Sequence, residues 1–210
     1  MKIVVVDYGM GNIRSVLRGV EKVGSRATLS ANAEDILNAD RVIFPGVGAF
    51  GDGIEELRKR RLDITLKNYA DTGRPLLGIC IGMQLLFEES EEHGIHKGLG
   101  LIPGNIVRIP EGQNCQVVRK IPHIGWNSLR EREHCRWKGT LLEGLQNLDS
   151  CYFVHSYMAI TTHDAHILAE CEYEGLTITA AVHLDNITGL QFHPEKSSNV
   201  GLQILKNFLS

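Results

Sequence analysis

From Ile3 to Ile79, short and wholly apolar runs alternate with stretches of helical periodicity, and that alternation is what most narrows the possible folds. Ile3 to Val6, Val42 to Phe44 and Leu76 to Ile79 read as strands, whereas Asn12 to Val23 and Gly53 to Tyr69 read as amphipathic helices. Strands without polar alternation must be covered on both faces, and strands separated by helices run parallel. Beyond Gly100 the pattern changes to β-like runs at Gln116 to Val118, Cys151 to Val154, Ile167 to Glu172, Thr177 to His183 and Gly189 to Phe192. These predict an antiparallel extension of the sheet, closed by a helix over Ser198 to Leu209. The expected fold is α/β: a largely parallel central sheet with helices on both faces and an antiparallel extension, in one domain over residues 1–210.

With 210 residues, 43% of them hydrophobic, the chain can bury a sizeable core. The formal net charge of −3 provides no basic footprint, so nucleic acid is not an expected partner. No apolar run reaches the length of a membrane span, and the Met1 to Asp7 segment is too short for the core of a signal peptide. A cytoplasmic location is therefore expected. The five cysteines (Cys80, Cys115, Cys135, Cys151, Cys171) are odd in number and contain no C-x-x-C pair, which argues against a disulfide framework or a thiolate zinc site. Histidines three apart, at His93/His96 and His163/His166, lie among polar residues and read as solvated loop histidines; no metal is expected.

The chemistry concentrates in three places. Pro75 to Glu88 is an apolar strand that passes through Gly78-Ile-Cys80-Ile-Gly82 into a helix. This is a nucleophile elbow with cysteine as the nucleophile, set where a helix N-terminus favours the thiolate. Alone, it reads equally well as a core cysteine between packing glycines. The second place is Gly189 to Glu195, where an apolar strand ends in His193-Pro194-Glu195. Parallel strands present their ends at one edge, so His193 can serve Cys80 as general acid and base while Glu195 orients the ring. The third is Phe44 to Gly53, a glycine-rich turn without a Walker Lys-Ser/Thr ending. Its backbone N–H groups, at Val47 and Gly48, can join that of Ile81 in an oxyanion hole. Asp7 to Asn12 approaches a dinucleotide fingerprint but carries Arg14 where the third glycine belongs, so no cofactor is expected. Glu88 to Glu92 reads as a helix end with one carboxylate placed to hold a substrate ammonium.

Taken in order, Asp7 to Asn12, Pro45 to Phe50, Gly78 to Gln84, Pro122 to Asn127, Phe153 to Tyr157 and Phe192 to Ser197 closely resemble class I glutamine amidotransferases, and within them the glutaminase subunits of imidazole glycerol phosphate synthases. The resemblance spans essentially the whole chain. It implies that Cys80 attacks the side-chain amide of L-glutamine, that His193 protonates the departing ammonia and that Glu195 orients His193. It also implies that Gln84 and Glu92 contact the amino-acid end of glutamine, with Gly48, Ser156 and Tyr157 completing the pocket. The implied partner is a (β/α)8-barrel cyclase or synthase subunit, met in a heterodimer through a face near Asn12, Trp126, Asn127 and Lys196. The segment Arg130 to Leu145, with Trp137-Lys-Gly-Thr-Leu-Leu142, departs from the pattern. It leaves open a paralogue that supplies ammonia to a surface-sugar-modifying enzyme. A cysteine peptidase-like hydrolase and an inactive scaffold stand as readings from other classes.

Overall fold

Ile3–Val6, Val42–Phe44 and Leu76–Ile79 are fully apolar because each is covered from both sides: all of these residues are buried in a computed structural model that describes residues 1–112, 119–132 and 137–210. In chain order the first half runs β1 (Ile3–Val6), α1 (Ile13–Lys22), β2 (Ala27–Ser30), α2 (Ala33–Leu37), β3 (Arg41–Gly46), α3 (Phe50–Lys59), α4 (Leu62–Ala70), β4 (Leu76–Cys80) and α5 (Ile81–Leu85). There follow β5 (Phe87–Ser90), β6 (His96–Lys97), β7 (Ile102–Arg108), β8 (His123–Arg130), β9 (Ser150–His155) and β10 (Tyr157–Thr161). The chain closes with β11 (Ile167–Tyr173), β12 (Leu176–Leu184), β13 (Ile187–Leu190) and α6 (Ser198–Phe208).

Among the described residues a nine-stranded sheet has the order β2-β1-β3-β4-β13-β12-β11-β8-β9. The strands from β2 to β13 pair in parallel, and those from β12 to β9 continue antiparallel. Helix α1 packs with α6, while α2, α3 and α4 form a second group, so two helical layers flank the sheet. This is the α/β architecture expected from the alternation.

Three local expectations need correction. The periodic run Gly53 to Tyr69 is two helices, broken where Arg61 takes φ 57° ahead of α4. No glycine or proline marks that break. The acidic run Glu88 to Glu92 is not a helix end but strand β5 and the turn after it, where Glu88 accepts the Gly104 N–H at 2.9 Å and Glu89 pairs with Lys97 at 2.6 Å. The described runs expected to extend the main sheet do so, as β9, β11, β12 and β13, while β10, β7, β5 and β6, which the sequence did not single out as strands, form a separate four-stranded sheet. The β13 ladder starts at Ile187 and ends at Leu190, before Gln191 and Phe192. The run Gln116 to Val118 lies outside the described residues, as do Cys115 and Cys135.

The close packing of α5 against β3 depends on Gly82. A Cβ there would collide with the Phe44 carbonyl, a backbone atom that cannot swing aside. We expect Gly82→Ala to destabilise the chain by about 2 kcal/mol or more, the scale of overpacking a closed site. Urea unfolding with an unchanged m-value measures it, and a loss under about 0.5 kcal/mol would show that the interface can relax.

Candidate active site

The C-terminal ends of β3, β4 and β13 lie side by side, with Gly46 opposite Cys80 and Leu190 opposite Ile79. Their exits therefore supply one site from three distant parts of the chain. At the end of β4, Cys80 takes φ 55° and ψ −114°, outside the regions open to most side-chain-bearing residues, immediately before α5. That turn is the strained elbow expected of a nucleophile. Helix α5 is only five residues long, so its dipole contributes less here than the sequence pattern suggested.

His193 leaves β13 in a turn that is tied down on every side. Its N–H donates to the Tyr152 carbonyl at 2.9 Å, and its own carbonyl accepts the Ser197 hydroxyl at 2.6 Å. The same Ser197 oxygen accepts the Tyr152 N–H at 2.9 Å. Nδ1 of the ring meets Glu195 Oε1 at 2.8 Å, both side chains being almost wholly buried. The other nitrogen, Nε2, is buried and makes no hydrogen bond of standard geometry among the described residues, yet the Cys80 sulfur lies close enough to act on the ring's charge. Burial alone would lower the His193 pKa; the Cys80 sulfur and the Glu195 carboxylate outweigh it and raise it to about 10. The imidazolium is thus the resting form near neutrality. An imidazolium beside a nucleophile holds a proton ready for a leaving group.

A cleft of about 260 Å³ opens over this pair. It brings together Val47, Gly48, Ile81, Gln84, Glu92, Ser156 and Tyr157 with Cys80 and His193, while Glu195 sits behind the histidine and outside the lining. Gly48 holds φ +104°, which its lack of a Cβ permits. Glu92 Oε2 accepts the Phe50 N–H at 2.7 Å. Gln84 spends its amide N–H groups on the Tyr157 carbonyl (3.2 Å) and on Gln191 Oε1 (2.9 Å), which leaves its buried Oε1 without a partner among the described residues. The cleft is sized for a small molecule.

The four residues expected at a partner face are not alike. Trp126 is 56% exposed and stands 6.3 Å from the Tyr152 ring, over which Lys196 Nζ lies at 5.7 Å. Asn12 accepts the Ser15 hydroxyl at 2.9 Å. Asn127 points its amide to the other face of β8, where it donates to the Glu172 carbonyl at 2.8 Å. Sequence reasoning passed over Gln191, whose Nε2 lies 4.0 Å from Cys80 Sγ, and His155, which lines the cleft. A glutamine inside the apolar run Gly189 to Phe192 was the available signal for the first. The pairs His93/His96 and His163/His166 belong to no group of three or more ligand-type residues, and no such group occurs among the described residues.

The sequence profile of the family described as glutamine amidotransferase class-I matches residues 4–210. The imidazole glycerol phosphate synthase subunit HisH of Syntrophotalea carbinolica is 46% identical over 207 residues, covering 98% of this chain and 98% of the relative. That of Aquifex aeolicus is 43% identical over 209 residues, covering 99% and 96%. Among solved structures, PurLQS from Thermotoga maritima has a TM-score of 0.73 at 18% identity, covering 99% of this chain and 97% of that one, a likeness of fold.

The ion pair at His193 has a measurable consequence. Glu195→Gln keeps an acceptor for Nδ1 but removes the charge, so the His193 titration, followed through its ring protons by NMR, should fall by about one unit or more. An unmoved midpoint would mean that Glu195 does not set the histidine's charge.

Proposed function

The chain belongs to the class-I glutamine amidotransferase family, and on that premise we propose that Cys80, His193 and Glu195 are the triad by which it releases ammonia from L-glutamine. It is a glutaminase subunit of the imidazole glycerol phosphate synthase kind, serving histidine biosynthesis. The observation that carries the assignment of the triad is the meeting, at the ends of adjacent parallel strands, of a strained cysteine with a carboxylate-paired histidine.

The reaction follows from the geometry. The Cys80 sulfur adds to the side-chain amide carbon, forming a C–S bond while the carbonyl oxygen becomes an oxyanion. The N–H groups of Ile81 and of the Val47–Gly48 turn receive that charge. His193 passes its proton to the amide nitrogen as the C–N bond breaks, and ammonia departs. Water then adds to the thioester carbon and gives a proton back to His193, and the C–S bond breaks with its electron pair returning to the Cys80 sulfur, releasing glutamate. Throughout, Glu195 keeps Nδ1 occupied, so that Nε2 is the nitrogen that exchanges protons. We assign the α-ammonium of glutamine to the free Gln84 Oε1 and to Glu92, and its carboxylate to the backbone at Ser156 and Tyr157.

The departure at Arg130 to Leu145 has a structural reading. Trp137 is buried and donates its indole N–H to the Leu168 carbonyl at 3.0 Å, so what is described of the segment serves packing. Nothing in its described residues favours a sugar-modifying acceptor over the histidine pathway. We propose a (β/α)8-barrel cyclase as partner, in a heterodimer docked on Trp126, Tyr152 and Lys196, an aromatic and cationic surface of the kind that anchors interfaces. No described helix is long and apolar enough to cross a membrane. We take residues 1–210 as one amidotransferase domain working in the cytoplasm.

Cys80→Ala should abolish glutamine hydrolysis by the assembled enzyme and leave its ammonia-dependent synthesis within about threefold, because only ammonia generation uses the sulfur. Retained glutaminase activity would move the nucleophile elsewhere. Trp126→Ala should weaken the partner complex by about tenfold or more in Kd, on the scale of an exposed aromatic anchor. Titration calorimetry reads this directly, and an unchanged Kd would place the partner on another face.

A further inference from the structure

Beneath the cleft, and outside the triad, lies a buried pair of histidines joined into one hydrogen-bonded chain. His155 Nδ1 lies 2.8 Å from the Tyr157 carbonyl, and its Nε2 lies 2.9 Å from His123 Nδ1. His123 Nε2 lies 3.2 Å from the Asn127 amide nitrogen. A carbonyl only accepts, so His155 Nδ1 carries a hydrogen, and an amide nitrogen only donates, so His123 Nε2 is bare and accepts from Asn127. His123 Nδ1 must then carry its ring hydrogen and donate to His155 Nε2, which is therefore bare. One pattern of protons satisfies every contact, and it requires both rings to be neutral. Burial favours that state, pushing His123 down to about 4 and His155 down to about 3. Stacking fixes the His123 ring, with the Tyr173 ring 4.0 Å and the Phe153 ring 4.8 Å away.

The chain ends on the atom that orients Gln84. The Tyr157 carbonyl, held by His155, also accepts the Gln84 amide at 3.2 Å. Only the amide end of Gln84 can meet a carbonyl, so its Oε1 is the end left over for the substrate. Gln191 holds the same amide from the opposite side at 2.9 Å. From this geometry we infer that His155 and His123 are positioning residues for glutamine: through the Tyr157 carbonyl they fix Gln84 and the Ser156–Tyr157 backbone against the amino-acid end of the substrate. They touch neither the reacting amide nor the proton transfer. The inference rests on the proposed glutaminase reading of the cleft. It adds a constraint on how strongly substrate is held, separate from how fast it reacts. It also gives β8 a double task, since the strand that displays Trp126 outward carries His123 and Asn127 on its other face.

The test uses the partner-bound enzyme, with glutamine KM and kcat measured beside the rate at which iodoacetamide, which has no amino-acid end, alkylates Cys80. In His155→Phe we expect KM to rise by about tenfold or more, the cost of leaving a buried carbonyl short of a donor, with kcat and alkylation within about threefold of the parent. His155→Gln, which can donate to Tyr157 and accept from His123, should keep KM within about threefold. His123→Phe guards against a misfolded His155→Phe, because the stacked site already holds an aromatic ring; it should raise KM in the same direction with kcat unchanged. The inference is overturned if His155→Gln is as impaired as His155→Phe, if His123→Phe leaves KM unchanged, or if kcat and alkylation fall while KM does not. Failure of the parent reading shows differently, as persistent glutaminase activity in Cys80→Ala.

Discussion

At φ 55° and ψ −114° the backbone of Cys80 occupies a region where a side-chain-bearing residue costs about 1–3 kcal/mol, and the surrounding structure must hold it there. Two full parallel ladders do so, β3 from one side and β13 from the other, with Gly46 paired opposite the cysteine itself. Helix α5 can start at the next residue only because Gly82 lets it lie against the Phe44 carbonyl. To relax the turn, the centre of the sheet would have to separate from its helix. The same ladders fix where β3 and β13 end, and hence where the Val47–Gly48 turn and His193 emerge. Strain at one residue and convergence of three loops are therefore one structural fact.

How much of this the sequence disclosed depended on whether a feature was local. The apolar runs of β1, β3 and β4 identified themselves because strands covered on both faces leave no room for polar alternation. The elbow and the His-Pro-Glu turn were legible for a related reason: glycine and proline at those positions answer a backbone demand. The break between α3 and α4 was invisible, since Arg60 and Arg61 make the turn and neither carries a breaking signal. Strand β2 escaped notice because Thr28 and Leu29 are exposed and its four residues show little period. The acidic β5 was misread because like charges in a row suggest a solvated helix, whereas Glu88, Glu89 and Glu92 each answer a partner distant in sequence. Partners 8 to 42 residues away leave no trace in a local window.

The residues around Cys80 show the same division. Their types could be read, but not which atoms remain free. Gln84 looked like a substrate contact, yet its amide nitrogen is fully committed to Tyr157 and Gln191, and only Oε1 remains to act. Asn127 looked like half of an interface pair, yet its alternation with Trp126 along β8 sends the two side chains to opposite faces. The period of two was present in the sequence. Which face was inward was not, because that depends on groups distant in the chain, such as the Tyr173 and Phe153 rings that stack on His123.

Histidines of two opposite kinds stand within reach of one another here, and what separates them is whether an anion accompanies burial. His193 has Glu195 and the Cys80 sulfur, so its pKa lies far above the ordinary value near 6.5. Among the described residues His155 and His123 have only carbonyls, amides and each other as partners, so theirs lie well below it, and the charge on His193 lowers His155 further. Their effects on stability have opposite signs. The His193 contribution is complete below about 6.5, where the unfolded ring is also protonated, and drains away as pH rises toward about 10. The neutral pair contributes fully above about 6.5 and loses its contribution as pH falls toward about 4 and then about 3, because the unfolded chain binds those protons first. The two contributions meet near 6.5, so the charge pattern that the chemistry needs, an imidazolium at His193 beside neutral rings at His155 and His123, is also the pattern in which neither group works against the fold.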